Sequence, residues 1–168
     1  MENLWSQWRS KYIEGFKNPT ENEECFICGA INDLENDKDR LVVARFDNCI
    51  VIINRYPYNA GHILIAPKRH TGDFNELNEI EMLEIFKVQQ MVLKSLEKIM
   101  KPQAFNLGVN LGRIAGAGVP GHIHFHTVPR WSGDTNFMPV LADIKIVSQS
   151  LDDLQELLSK EFAELRSK

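Results

Sequence analysis

Between Gly121 and Arg130 the chain sets a histidine at every second position, His122-Ile123-His124-Phe125-His126-Thr127-Val128. A period of two is the repeat of an extended strand, so His122, His124 and His126 share one face and Ile123, Phe125 and Thr127 the other. Same-face neighbours on a strand stand about 6.5 to 7 Å apart, which makes a row of imidazoles beside one pocket. Three rings in such a row suit two kinds of chemistry, metal ligation and attack on an electrophile such as phosphorus with proton transfer close by. The apolar opposite face and the glycine-rich lead-in argue against a merely solvated strand. All five histidines, His62, His70, His122, His124 and His126, fall in or at the ends of segments that read as strands.

The remaining elements follow from periodicity. Leu41 to Phe46 and Cys49 to Ile53 are β-branched-rich runs parted by Asp47-Asn48, a hairpin signal. His62 to Ala66 is an apolar run bracketed by Gly61 and Pro67, and Phe105 to Gly112 alternates loosely. Asn78 and Glu81 have the spacing of a capping box, with Leu77 and Met82 placed for a hydrophobic staple. From there Met82, Ile85, Phe86, Val92, Leu93, Leu96 and Ile99 keep one helix face apolar until Pro102. Trp5, Trp8, Tyr12, Ile13 and Phe16 predict an N-terminal helix. Leu151, Leu154, Leu158, Phe162 and Leu165 predict a closing one. Tight hairpins with a single long helical connection predict an α+β class, an antiparallel sheet with helices on one side. The expected organisation is one domain over 1–168: a helix in 1–20, a core over 25–131, and a C-terminal segment with its helix over 132–168.

With 168 residues, 43% of them hydrophobic, the chain can bury a core without disulfides. Its 19 basic and 23 acidic side chains leave a net charge of −4. That argues against the basic face a nucleic-acid partner requires, so an anionic substrate must be held by local donors. No run approaches the roughly 18 apolar residues of a membrane span, and the N-terminal residues lack the features of a signal peptide. The expectation is a cytoplasmic protein with no membrane partner. Three cysteines, an odd number, fit reduced thiols or a metal knuckle at Cys25-x-x-Cys28 better than a disulfide framework. Cys49 lies in a strand and reads as buried.

Gly116-Ala117-Gly118-Val119-Pro120-Gly121 spells a dinucleotide fingerprint, but a β-type run follows where that fingerprint needs a helix. What remains is a loop whose glycines, at 112, 116, 118 and 121, let backbone N–H groups approach an anion beside the imidazoles. The alternative is an ordinary hairpin loop.

These residues resemble the histidine triad (HIT) family of nucleotide hydrolases and transferases, whose signature alternates three histidines with apolar positions. The chain departs from it only at the polar Thr127. Asn54-Arg55-Tyr56-Pro57, Gly61-His62-Ile63-Leu64-Ile65 and Asn110-Leu111-Gly112 extend the resemblance over roughly residues 25 to 131. Tyr56-Pro57-Tyr58-Asn59 and the segment from Pro129 to Phe137 look most like the diadenosine tetraphosphate phosphorylase branch.

The resemblance implies a HIT-like fold of five antiparallel strands with one long helix and a C-terminal helix. It implies His124 as the nucleophile on the α-phosphorus, with His126 assisting protonation of the leaving group and His122 completing the row. Asn110 would contact phosphate, Asn54 the ribose hydroxyls, and Ile52 the base; Gly112 and Gly118 belong to the phosphate loop. Trp131 stacks on an adenine, closes a dimer or packs in the core. His62 is either a partner of the row or a buried structural histidine. Arg113 and Arg130 are candidates to offset substrate charge. His70 and His122 would complete a Cys2His2 zinc site with Cys25 and Cys28; a redox dithiol and two unligated thiols are the alternatives. No organic cofactor is expected, and the family is usually homodimeric. Many members carry Gln where this chain has Gly118, which disfavours transfer to water and favours inorganic phosphate as acceptor. The implied function is phosphorolysis of dinucleoside polyphosphates. The alternatives are a hydrolase of those substrates or of nucleoside phosphoramidates, and a non-catalytic nucleotide sensor.

Overall fold

The computed structural model describes residues 25–134 and 150–167. The predicted helix in 1–20 and the Thr135-Asn136-Phe137 end of the branch motif lie outside them. Strands β1 (Val42–Arg45), β2 (Cys49–Ile53), β3 (Ile63–Pro67), β4 (Ala104–Val109) and β5 (Phe125–Arg130) form one sheet in the order β1-β2-β3-β5-β4. Every neighbouring pair is antiparallel. Among the described residues three helices accompany it, α1 (Phe26–Asn32), α2 (Glu79–Met100) and α3 (Leu151–Arg166), with a 3-10 turn over Phe74–Glu76. This is the expected α+β class: five antiparallel strands, one long helix and a C-terminal helix.

Register sorts the side chains onto two faces. Ile52 pairs with Leu64, Leu64 with His126, and His126 with Gly108, so these four share one face. Ile63, Thr127 and Leu107 share the other, as do Ile65, Phe125 and Val109. Helix α2 covers this second face. Its Gln89 donates through Nε2 to Oγ1 of Thr127 at 2.7 Å, and that hydroxyl is 3.0 Å from Oε1 of the same amide. The polar departure at 127 therefore has a buried partner, which removes the penalty an unpaired hydroxyl would carry.

Helix α2 begins with the capping box read from the sequence: Asn78 Oδ1 accepts from the Glu81 N–H at 2.9 Å and Glu81 Oε2 from the Asn78 N–H at 3.0 Å. It ends at Lys101, in the left-handed conformation at φ 49°, just before Pro102. Ile85, Val88, Val92 and Leu96 face the core, where they meet Leu154, Leu158 and Phe162 of α3 and the isoleucines of β2 and β3. Phe86 departs from the predicted stripe: it is 61% exposed, and with Leu83 it forms a second apolar strip facing outward. Strand β4, at the sheet edge, exposes Leu107 on the same side. Among the described residues no helix is long and apolar enough to cross a membrane.

Two predicted strands are shorter than their alternation suggested. β4 stops at Val109, and β5 begins only at Phe125, so His122 and His124 precede the ladder. The neighbouring β3 runs out at Pro67, and the Ile123 N–H donates instead to the Thr71 carbonyl at 2.7 Å. Helix α1 and the 3-10 turn carry too few residues to show a period.

Candidate active site and metal cluster

His124 is 6% exposed. Its Nδ1 lies 2.8 Å from the backbone carbonyl of His122. A carbonyl only accepts, so Nδ1 carries the proton and Nε2 keeps its lone pair. Burial holds this imidazole below its ordinary pKa, outweighing the carbonyl bond that pulls the other way. A neutral ring with a free Nε2 is the form that can attack an electrophile.

His126 is held in the opposite tautomer by a chain of donors. The backbone N–H of Tyr58 donates to Nδ1 of His62 at 3.0 Å, and the Asn54 amide nitrogen stands 3.2 Å from the same atom. Nδ1 of His62 is thus an acceptor and its Nε2 carries the proton, donated to Nδ1 of His126 at 2.9 Å. The remaining proton of His126 sits on Nε2, a buried atom with no hydrogen-bond partner among the described residues. An unpaired buried donor calls for a physical reason, and a water, an ion or a functional role in its site each supply one. Burial first, and His124 beside it, depress the His126 pKa to about 4. The rings of His124 and His126 lie 4.9 Å apart, so a nitrogen lone pair and an N–H donor stand side by side.

His122 turns its ring to another set of partners. Its Nδ1 is 3.4 Å from Sγ of both Cys25 and Cys28, and Nδ1 of His70 is 3.2 Å from Sγ of Cys28. One ligand atom from each of the four residues falls within 4.8 Å of all the others. Sulfur–nitrogen separations of about 3.5 Å follow from zinc bond lengths at tetrahedral angles, so the donor set fits that ion. Cys25 caps α1 and Cys28 lies one turn along it, which puts both thiols on one helix face. Nε2 of His122 donates to the Pro67 carbonyl at 2.8 Å, leaving Nδ1 as the ligand atom. Gly72 lets the two ligand-bearing loops meet: a Cβ there would lie 2.2 Å from the Pro120 carbonyl oxygen.

The HIT domain model matches residues 35–133. The chain belongs to the HIT family. It is 32% identical to an AP-4-A phosphorylase of Mycobacterium tuberculosis over 166 residues, 97% of this chain and 85% of that one. It is 33% identical over 82 residues to the asymmetrical bis(5'-nucleosyl)-tetraphosphatase of Schizosaccharomyces pombe, 49% of this chain and 44% of that one. Among solved structures, a hypothetical histidine triad nucleotide-binding protein of Sulfolobus tokodaii superposes with a TM-score of 0.66 at 27% identity, covering 84% of this chain and 94% of the other. A zinc-bound histidine triad protein of Mycobacterium smegmatis shares the fold, with a TM-score of 0.67 at 23% identity over 86% of this chain and 96% of the other.

Within this HIT fold the other sequence-expected residues fall in different places. Ile52 lies two strands from His126 on the same face, 2% exposed. Asn54 ends β2 with Oδ1 accepting from the Tyr56 N–H at 3.0 Å and its nitrogen at His62. Asn110 follows the Val109–Phe125 pair as His124 precedes it, so the register brings those two residues side by side. Its amide donates to the Gly116 carbonyl at 3.4 Å. Gly112, at φ +81°, turns the loop, and Gly118 is half-buried in it. Two of the loop N–H groups stay within it: Gly116 donates to the Arg113 carbonyl and Ala117 to that of Gly112. Arg113 is exposed. Trp131 lies five residues beyond His126, about 16 Å along an extended chain, with its indole N–H on the Lys101 carbonyl. Arg130 is paired with Asp134 and donates to Asn106, so its charge already has a partner. Sequence reasoning named Tyr58 only within a branch motif and passed over Gly72 and the Pro67 carbonyl; of the latter two only Gly72, a glycine two residues from His70, left a visible sign.

The depressed His126 pKa has a testable sign. Between the folded value near 4 and the unfolded value near 6.5, the unfolded chain binds the extra proton, so stability falls as pH drops through that window. Wild type is expected to lose about 2 kcal/mol more between pH 7 and pH 5 than His126→Gln, measured by urea unfolding at each pH.

Proposed function

We propose that this chain is a nucleotidyl transferase that cleaves diadenosine tetraphosphate by phosphorolysis to ADP and ATP, through a nucleotidyl intermediate on His124. The observation that carries the reading is the pair of tautomers: a free lone pair on His124 Nε2 next to a donor on His126 Nε2. The M. tuberculosis relative, a phosphorylase, supports the choice of substrate and acceptor. Gly118, where many members carry Gln, supports phosphate over water.

The reaction has two steps. Nε2 of His124 attacks the α-phosphorus, the bond to the bridging oxygen breaks, and its electron pair leaves with ATP. His126, neutral at pH 7, donates a hydrogen bond to that oxygen rather than a whole proton, enough for a triphosphate that is already a stable anion. An oxygen of phosphate then attacks the same phosphorus, the P–N bond breaks, and its pair returns to Nε2 as ADP forms. Backbone N–H groups of the glycine loop and the Asn110 amide would hold the phosphoryl oxygens, with Asn54 toward the ribose.

Zinc is the second part of the reading. Cys25, Cys28, His70 and His122 would hold it, and when bound it supplies a structural cross-link between α1, the loop after β3 and the segment entering β5. A second copy of the chain is the third, supported by the outward strip of Leu83 and Phe86 beside the edge strand with its exposed Leu107.

With diadenosine tetraphosphate, ADP and ATP are expected only when phosphate is added, and His124→Ala is expected to be inactive while still binding nucleotide. AMP and ATP formed regardless of phosphate would make the protein a hydrolase. Metal analysis is expected to find about one zinc per chain, lost in the Cys25→Ser, Cys28→Ser double variant; a metal-free wild type of undiminished melting temperature contradicts the zinc site. Sedimentation is expected to give two chains for wild type and one for Phe86→Glu; a monomeric wild type removes the dimer.

A further inference from the structure

Tyr58 lies against both rings of the donor chain. Its ring is 5.8 Å from that of His126 at an interplanar angle of 21°, and 4.6 Å from that of His62 at 40°. Tyr58 is 40% exposed, whereas His126 is 8% and His62 0% exposed. It is therefore the outward member of a three-ring stack whose inner members are closed to solvent. The Tyr58 contribution to the tautomers comes from its backbone N–H. Any residue but proline keeps that donor, so a substitution here changes the ring alone.

The second half of the proposed reaction gives the ring a task. Water that attacks the nucleotidyl-imidazole must lose a proton, and so needs a base within reach. A phosphate dianion brings a nucleophilic oxygen that needs none. In the resting tautomer Nε2 of His126 already holds a proton, and the dry surroundings keep that ring from exchanging it.

We propose that Tyr58 is a positioning and acceptor-selecting residue: its ring keeps water away from the His62–His126 pair and thereby steers the nucleotidyl group to phosphate. The inference rests on the phosphorolysis reading. Among the described residues the titratable groups whose rings face His126 are His62, His124 and Tyr58 itself. Burial is the larger of the two causes that hold His126 near 4. Opening the Tyr58 side to water makes His126 more basic and admits a water between His62 and His126; that water accepts from both rings, so His126 can move its proton to Nδ1 while His62, still held by the backbone N–H of residue 58, keeps its own tautomer. Its Nε2 can then take the proton of an attacking water while the water oxygen bonds to phosphorus, the P–N bond breaks and AMP leaves.

Wild type, Tyr58→Ala and Tyr58→Phe are given diadenosine tetraphosphate at one fixed phosphate concentration and the AMP to ADP ratio is measured; His126 is titrated in each by NMR. Tyr58→Ala is expected to raise the ratio about tenfold or more, the low end of what a positioned base contributes. It is also expected to move the His126 pKa from about 4 toward the ordinary value of about 6.5. Tyr58→Phe, which keeps the ring, is expected to match wild type in both. An unmoved ratio or an unmoved titration in Tyr58→Ala overturns the proposal, as does Tyr58→Phe behaving like Tyr58→Ala. If wild type itself makes AMP whatever the phosphate, the phosphorolysis reading has failed and acceptor selection falls with it. If wild type makes ADP and only the variant arms disagree, the role of Tyr58 alone is lost.

Discussion

The bond from Nδ1 of His124 to the carbonyl of His122 organises this molecule. It fixes a tautomer, and through the tautomer it decides which nitrogen of a buried ring can reach an electrophile. It needs the segment before β5 to leave the sheet, because a carbonyl committed to a strand partner would not be turned toward the next imidazole. The loss of ladder pairing at 122–124 is the local cost of that arrangement. The Thr71 carbonyl, which takes the Ile123 N–H, offsets part of it.

His122 works through two ends at once. Its carbonyl holds His124, while its ring faces two thiols and a second imidazole and is steadied from behind by the Pro67 carbonyl. The short helix that carries the thiols is in turn tied to the sheet. Arg45 of β1 donates to the carbonyls of Ala30, Ile31 and Asp33 at the end of α1 and pairs with Asp37. A path of direct contacts therefore runs from β1 through α1 and the Cys-His cluster to the His124 ring. Beside it the loop after β3 and the segment entering β5 approach so closely at Gly72 and Pro120 that no side chain fits.

Much of this was legible in the chain itself. The period of two at 122–128 located the site, the Asn78 and Glu81 pair located the start of α2, and the leucine and phenylalanine spacing after Ser150 located α3. What the sequence could not express was direction. Alternation placed three histidines on one face but did not show that His122 would turn to the cysteines while His124 and His126 face each other, because that follows from where β3 ends. Phe86 fitted the buried stripe by spacing alone, yet lies outward because Ile85 and Gln89 take the sheet-facing positions. Sequence alone leaves His62 between two roles; its Nδ1, accepting from the Tyr58 N–H, makes it a partner of the row. Arg130 reads from sequence as a substrate contact, but Asp134, four residues on, holds its charge.

The direct test is to trap the intermediate with a slowly released substrate analogue and to locate its phosphorus by mass spectrometry and by phosphorus–nitrogen coupling in labelled protein. A nucleotide bonded to Nε2 of His124 is the expected result. A bond to Nδ1, an adduct on another residue, or turnover with no adduct on that ring would contradict the assignment.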